Sequence, residues 1–105
     1  MSTEWTDLGD GHFYRFAGWF PDRDLNPQYD GIPDVARYAA MVRHLTPAGI
    51  PCMGGVTFDS ETARRIEPGK PTWTVESWEP LTLSPSLLCS CGDHGFIRDG
   101  RWVKA

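Results

Sequence analysis

Glycine and proline interrupt this sequence at short intervals, which limits the length of any helix or strand that it can form. Together they occupy 20 of the 105 positions, 11 as glycine and 9 as proline, against an ordinary share of about 12%. Both residues favour turns and break regular elements. The sequence therefore predicts one domain of short elements joined by many turns, and the 40% of hydrophobic residues excludes a disordered chain.

Most of the segments between these breaks have the composition of β-strands. The aromatic run His12–Phe20 and the β-branched run 72–78 each predict a strand. Residues 81–88 predict two extended pieces separated by Ser-Pro-Ser. The dipeptide Asp99-Gly100 between two apolar runs predicts a hairpin, because this pair favours the tight turn that joins antiparallel strands.

Two segments suggest helices. Residues 34–46 fit both the helical and the strand period, and we predict a short helix over 34–39 that runs into a strand over 40–46. Residues 60–66 predict a helical turn with Asp59 as its N-cap. The fold class is therefore α+β and β-rich: one small domain of short antiparallel strands and hairpins, with one or two short helices, held together by a zinc site. We expect a flexible N-terminus over residues 1–11 and this single domain over 12–105.

The cysteines predict a metal site rather than a disulfide framework. Three cysteines are present, at positions 52, 89 and 91. Disulfide frameworks use an even number, and Cys89 and Cys91 are too close in sequence to bridge without strain. The acidic N-terminal segment has no apolar signal region, so we expect the protein in the cytoplasm, where thiols stay reduced.

The segment Cys89-Ser90-Cys91-Gly92-Asp93-His94 offers two thiols and one imidazole within six positions. Zn²⁺ prefers thiolate and imidazole ligands in a tetrahedron, so we predict Zn²⁺ bound by Cys89, Cys91 and His94. Cys52 is the preferred fourth ligand, with His12 and His44 as the alternatives. Asp93 and Asp99 are candidates to accept a hydrogen bond from His94.

The C-terminal third resembles a family of small bacteriophage proteins, common in phages of actinobacteria. The resemblance is carried by Leu81-Thr82-Leu83-Ser84-Pro85-Ser86-Leu87 and by the run from Cys91-Gly92-Asp93-His94 to Trp102. It covers residues 71–103 well and 24–58 more weakly. Related domains are similar to a metal-binding domain encoded in bacterial ubiquitin-like conjugation operons.

This resemblance implies a zinc-binding fold that uses Cys91, His94 and an upstream cysteine knuckle, here Cys52. The family more often has Cys-Pro-x-Cys at that knuckle. Because Cys52 stands alone in this sequence, the fourth ligand stays open, and Cys89 is the candidate to replace the missing cysteine.

The residue patterns favour a structural metal over a catalytic one. Three sulfurs reduce the Lewis acidity of a metal, and neither His-Glu-x-x-His nor the deaminase signature occurs. The serines of Ser84-Pro85-Ser86 lack the Gly-x-Ser-x-Gly elbow, so we interpret them as a turn that positions Cys89.

The sequence therefore predicts a zinc-stapled interaction module that binds a host or phage protein. The alternative is a zinc-dependent hydrolase or peptidase with an open metal position, with Glu76, Glu79 or Asp93 as its base. A nucleic-acid-binding zinc module is disfavoured by the net charge of −4. No apolar stretch is long enough to span a membrane, and the oligomeric state is left open.

Overall fold

The structure is a computed structural model that describes residues 4–105. Within this range the chain forms three antiparallel sheets, one α-helix (α1) and one short 3-10 turn over Pro27–Tyr29. The elements in chain order are β1 Thr6–Gly9, β2 His12–Trp19, β3 Val35–Leu45, β4 Pro51–Thr57, α1 Glu61–Ile66, β5 Thr74–Trp78, β6 Leu81–Ser84, β7 Leu87–Leu88, β8 His94–Arg98 and β9 Arg101–Lys104.

The first sheet has the strand order β1-β2-β3-β4, the second pairs β5 with β6, and the third has the order β7-β8-β9. Alternate side chains of all three sheets enter one core, as expected when each strand presents one face to the interior. Its members are Leu8, Tyr14, Ala40, Val42, Val56, Phe58, Leu81, Leu83, Leu87, Ile97 and Trp102. The predicted β-rich single domain with short hairpins is confirmed.

Within the segment 34–46, residues Val35–Leu45 form one continuous strand, and the helix predicted over 34–39 is not present. Tyr38, Ala40, Val42 and His44 are buried in alternation. β3 pairs with β2 on one side and with β4 on the other. This pairing on both edges outweighs the helical spacing, which is only a weak local preference.

Two further predictions need correction. Part of the segment expected to be a flexible N-terminus forms β1, which pairs with β2 and buries Leu8 to 2% exposure; residues 1–3 lie outside the described residues. Helix α1 is capped by Ser60, whose Oγ accepts the Ala63 N–H at 3.0 Å. Asp59, the predicted cap, instead pairs with Arg64 at 2.8 Å.

None of the helices in residues 4–105 is long and apolar enough to cross a membrane.

Candidate metal centre and serine–histidine pair

Four potential metal ligands meet at one end of the first sheet. His44 and Cys52 are cross-strand partners on β3 and β4, and Cys89 and Cys91 come from the loop between β7 and β8. Their ligand atoms all lie within 4.8 Å of one another. Sγ of Cys52 lies 3.2 Å from Sγ of Cys89, and Sγ of Cys91 lies 3.6 Å from Nε2 of His44. This set of three sulfurs and one imidazole nitrogen could hold a metal ion.

The loop that supplies two of the sulfurs is a tight turn. Cys89 N–H donates to the carbonyl of Asp93 at 2.7 Å, and Gly92 N–H donates to the carbonyl of Cys89 at 2.9 Å. Gly92 has φ +95°, which is in the region that favours glycine. This turn brings both sulfurs to the side of β4 that carries Cys52.

The pKa values of two of the thiols are shifted in opposite directions by their neighbours. The pKa of Cys89 is lowered to about 6, first by the backbone N–H of Cys91 and then by His44. The pKa of Cys52 is raised to about 11, mainly by its hydrogen bond to Cys89. Cys89 is therefore a thiolate at neutral pH, which is the form that binds metals.

His44 is oriented so that Nε2 faces the sulfurs. Its Nδ1 lies 3.3 Å from the carbonyl of Leu45 and 3.7 Å from Oδ2 of Asp93. Burial lowers the pKa of His44, but hydrogen bonding to the neighbouring thiolate and the charge of Asp93 outweigh it and raise the pKa overall. A histidine that ligates a metal commonly donates its other ring N–H to a carbonyl or carboxylate. His44 has the Leu45 carbonyl within hydrogen-bond distance, and the charge of Asp93 lies just beyond that distance.

Asp93 and His12 both contact His44. Oδ2 of Asp93 lies 2.5 Å from Nε2 of His12, and the ring of His12 stacks between His44 and Trp102 at centroid distances of 5.0 and 4.0 Å. His12, His44 and Asp93 form a second group that could hold a metal ion. Because Asp93 already bonds His12, we assign this group to positioning His44.

The structure brings together only some of the residues that the sequence analysis named as ligands or their partners. Cys52, Cys89 and Cys91 lie together, and the imidazole that joins them is that of His44, one of the alternatives. His94 lies elsewhere, with Nε2 2.9 Å from Oγ of Ser86. Asp93 lies beside His12 and His44 instead of His94. Asp99 is in the turn between β8 and β9 with φ +50°, where its N–H donates to Oγ1 of Thr82.

Ser86 and His94 form a hydrogen-bonded serine–histidine pair that the sequence did not reveal. Ser86 directly precedes β7, and His94 is the first residue of β8. His94 is exposed and Ser86 is half-buried. The serine hydroxyl within hydrogen-bond reach of an imidazole is the pairing that activates a serine nucleophile. The strand pairing β7–β8 creates this proximity, and the sequence around Ser86 contains no elbow motif that marks it.

The two sites are mechanically linked, because the loop with Cys89 and Cys91 is the connection between Ser86 and His94. A metal held by this loop together with His44 and Cys52 would restrain the ends of the loop, in addition to the β7–β8 pairing that brings the serine and the histidine together.

Asp93→Asn should weaken metal binding by about 10- to 100-fold, which is the usual effect of losing the partner of a ligating histidine. The amide keeps the shape of the side chain but removes the charge that faces His44 and His12. The measurement is the Zn²⁺ dissociation constant in a chelator competition.

Asp99→Asn is the matched control, since it makes the same chemical change outside the cluster and asparagine also tolerates positive φ. Its Zn²⁺ affinity should stay within about twofold of wild type. Equal affinities for both variants and wild type would show that Asp93 does not position His44.

Comparison with known proteins identifies a family. The model of the family described as "Bacterial ubiquitination-like system serine protease (BubE)" matches residues 28–105. The matched range includes both the sulfur cluster and the pair Ser86 and His94. Searches of curated proteins and of solved structures gave no match.

Proposed function

Because the chain belongs to the family of bacterial ubiquitination-like system serine proteases (BubE), we propose that it hydrolyses peptide or isopeptide bonds through Ser86 and His94. The observation that carries this proposal is the 2.9 Å distance between Oγ of Ser86 and Nε2 of His94. The name of the family supplies the reaction class, and this geometry supplies the two groups that the reaction needs.

In the proposed reaction Oγ of Ser86 attacks the carbonyl carbon of the scissile bond. Nε2 of His94 accepts the hydroxyl proton, which requires the other ring proton on Nδ1. The C–N bond then breaks, and His94 returns the proton to the leaving amine. Water hydrolyses the acyl-serine, with His94 accepting its proton and returning it to Ser86.

We further propose that the cluster of His44, Cys52, Cys89 and Cys91 holds Zn²⁺ in a structural role. Four protein ligands complete a tetrahedron and leave no position for water, and soft sulfur ligands favour zinc. The metal would supply no chemistry to the substrate. It would hold the loop between Ser86 and His94 and stabilise a domain with a small core.

A fluorophosphonate probe tests the serine directly, because it needs no knowledge of the substrate. We expect one adduct per chain, and peptide mapping by mass spectrometry should place it on Ser86. His94→Ala should slow labelling at least about 100-fold, in line with the loss of a general base. Labelling that is equally fast with and without His94, or that falls on another serine, would contradict the proposal.

A protein-interaction module is the second candidate function. It is favoured by two exposed apolar side chains that line the same cleft, Met53 on β4 at 54% exposure and Leu88 on β7 at 70% exposure. We propose a bacterial cytoplasm as the setting for either function, since the free thiols require a reducing compartment; a phage origin is part of the same proposal. A chain that binds its partner without reacting with the probe would favour the module.

A further inference from the structure

A cleft of about 150 Å³ lies between β4 and β7 and is not used by the proposed reaction chemistry. Cys89 lines the cleft, and its sulfur lies 3.2 Å from that of Cys52. Trp73 lines it as well, and its indole N–H donates to the carbonyl of Ser86 at 3.1 Å. The cleft therefore borders the metal cluster and lies next to the backbone of the residue that we propose as the nucleophile.

One wall of the cleft is the edge of the first sheet, because β4 is the last strand of that sheet. Phe58 N–H donates to Tyr38, towards β3. Since peptide groups alternate along an antiparallel strand, Val56 and Gly54 also face β3, whereas Gly55 and Met53 face the cleft. On the same edge, the carbonyl of Thr57 accepts Trp73 N–H at 2.9 Å. This edge therefore already pairs with an extended segment at one end.

The opposite wall is the edge of the third sheet, where β7 is the outer strand. Cys89 N–H donates to Asp93 on the inner side. By the same alternation, the peptide groups of Leu88 face the cleft, as does the carbonyl of Ser86 that bonds Trp73. In the described part of the chain no strand is hydrogen-bonded between these two edges.

Glycine at position 54 has no explanation within the fold itself. Its φ is not in the glycine region, and a Cβ built there would meet no heavy atom within 4 Å. That Cβ would project to the same face as Val56 and Val42, which line the cleft. Glycine inside a strand weakens it and often marks a close approach of another backbone. The missing side chain keeps the cleft open.

We propose that the substrate polypeptide binds in this cleft as an extended, uncharged segment that adds a strand between β4 and β7 and leads the scissile bond to Ser86. This inference rests on the proposed function. Peptide groups on both edges give such a segment main-chain hydrogen bonds. No Asp, Glu, Lys or Arg of the described chain lines the cleft, and the thiolate of Cys89 would be bound to the proposed metal. A charged side chain would therefore lose water there without gaining a partner.

The test uses full-length zinc-loaded protein with Ser86→Ala, so that binding is measured without cleavage. The probe is a capped, fluorescein-labelled octapeptide of alternating alanine and valine. We expect saturable binding at up to millimolar peptide and at least 10-fold slower hydrogen exchange of the Met53, Gly55 and Leu88 amides. Gly54→Val, which fills the cleft, should weaken binding at least 10-fold, and so should aspartate in the centre of the peptide.

Ala17→Val is the matched control, because it places the same side chain at a half-buried position of β2 that does not line the cleft. Binding should change less than twofold. Absence of binding, unchanged affinity in Gly54→Val, or no protection of the three amides would overturn the inference. Fluorophosphonate labelling of the otherwise wild-type Gly54→Val protein reports the reactivity of the Ser86–His94 pair separately. Failure of the proposed binding site would therefore appear in peptide binding, and failure of the proposed nucleophile would appear in labelling.

Discussion

Ser86→Ala should lower the rate of peptide hydrolysis by about 10³-fold or more, because it removes the atom that forms the acyl intermediate while leaving the metal cluster intact. The side chain makes one hydrogen bond, to His94, and is half-buried. Its loss should therefore change the melting temperature little. The measurement is cleavage of an internally quenched octapeptide of alanine and valine, followed by fluorescence, together with zinc content and thermal unfolding of the same sample.

Ser84→Ala is the matched control, since Ser84 is a half-buried serine two positions away that does not line the cleft. Its cleavage rate should stay within about twofold of wild type. A Ser86→Ala protein that cleaves as fast as wild type would remove Ser86 from the reaction. Equal losses in both variants would indicate that the segment as a whole, and not the hydroxyl of Ser86, supports activity.

Replacing any one residue of the metal cluster should abolish stoichiometric zinc binding and unfold the domain. We expect about one Zn²⁺ per wild-type chain, and close to none in Cys52→Ser, Cys89→Ser, Cys91→Ser or His44→Ala. Structural zinc sites in small domains contribute about 10–16 kcal/mol, whereas whole domains are stable by only about 5–15 kcal/mol. Loss of the metal therefore removes most of the free energy that holds this chain folded. Elemental analysis and circular dichroism measure the two effects.

His94→Ala separates the metal cluster from the serine–histidine pair. It should keep one Zn²⁺ and a folded spectrum while losing hydrolysis. If His94→Ala lost zinc and His44→Ala retained it, His94 would be the ligand, as the spacing Cys-x-Cys-x-x-His first indicated. Cobalt substitution adds a second readout, because its absorption spectrum reports the number of coordinating sulfurs.

Local chemistry made several parts of the fold predictable. The turn at Asp99-Gly100, with φ values of +50° and +72°, depends on two adjacent residues and can be inferred from them alone. The aromatic strand β2 and the break at Ser-Pro-Ser were predictable for the same reason. The helix predicted over 34–39 was wrong because β3 is fixed by neighbours on both edges, and neither neighbour is visible in the local pattern.

The sequence alone determined the elements whose cause is local: short strands between turns, a metal-competent set of sulfurs and the final hairpin. The tertiary structure decided which histidine faces which partner. The register of β3 with β4 places His44 opposite Cys52, and the pairing of β7 with β8 turns His94 towards Ser86. A shift of one residue in either register would reverse the face of each side chain. Register depends on contacts across the whole sheet, so spacing along the chain cannot assign these roles.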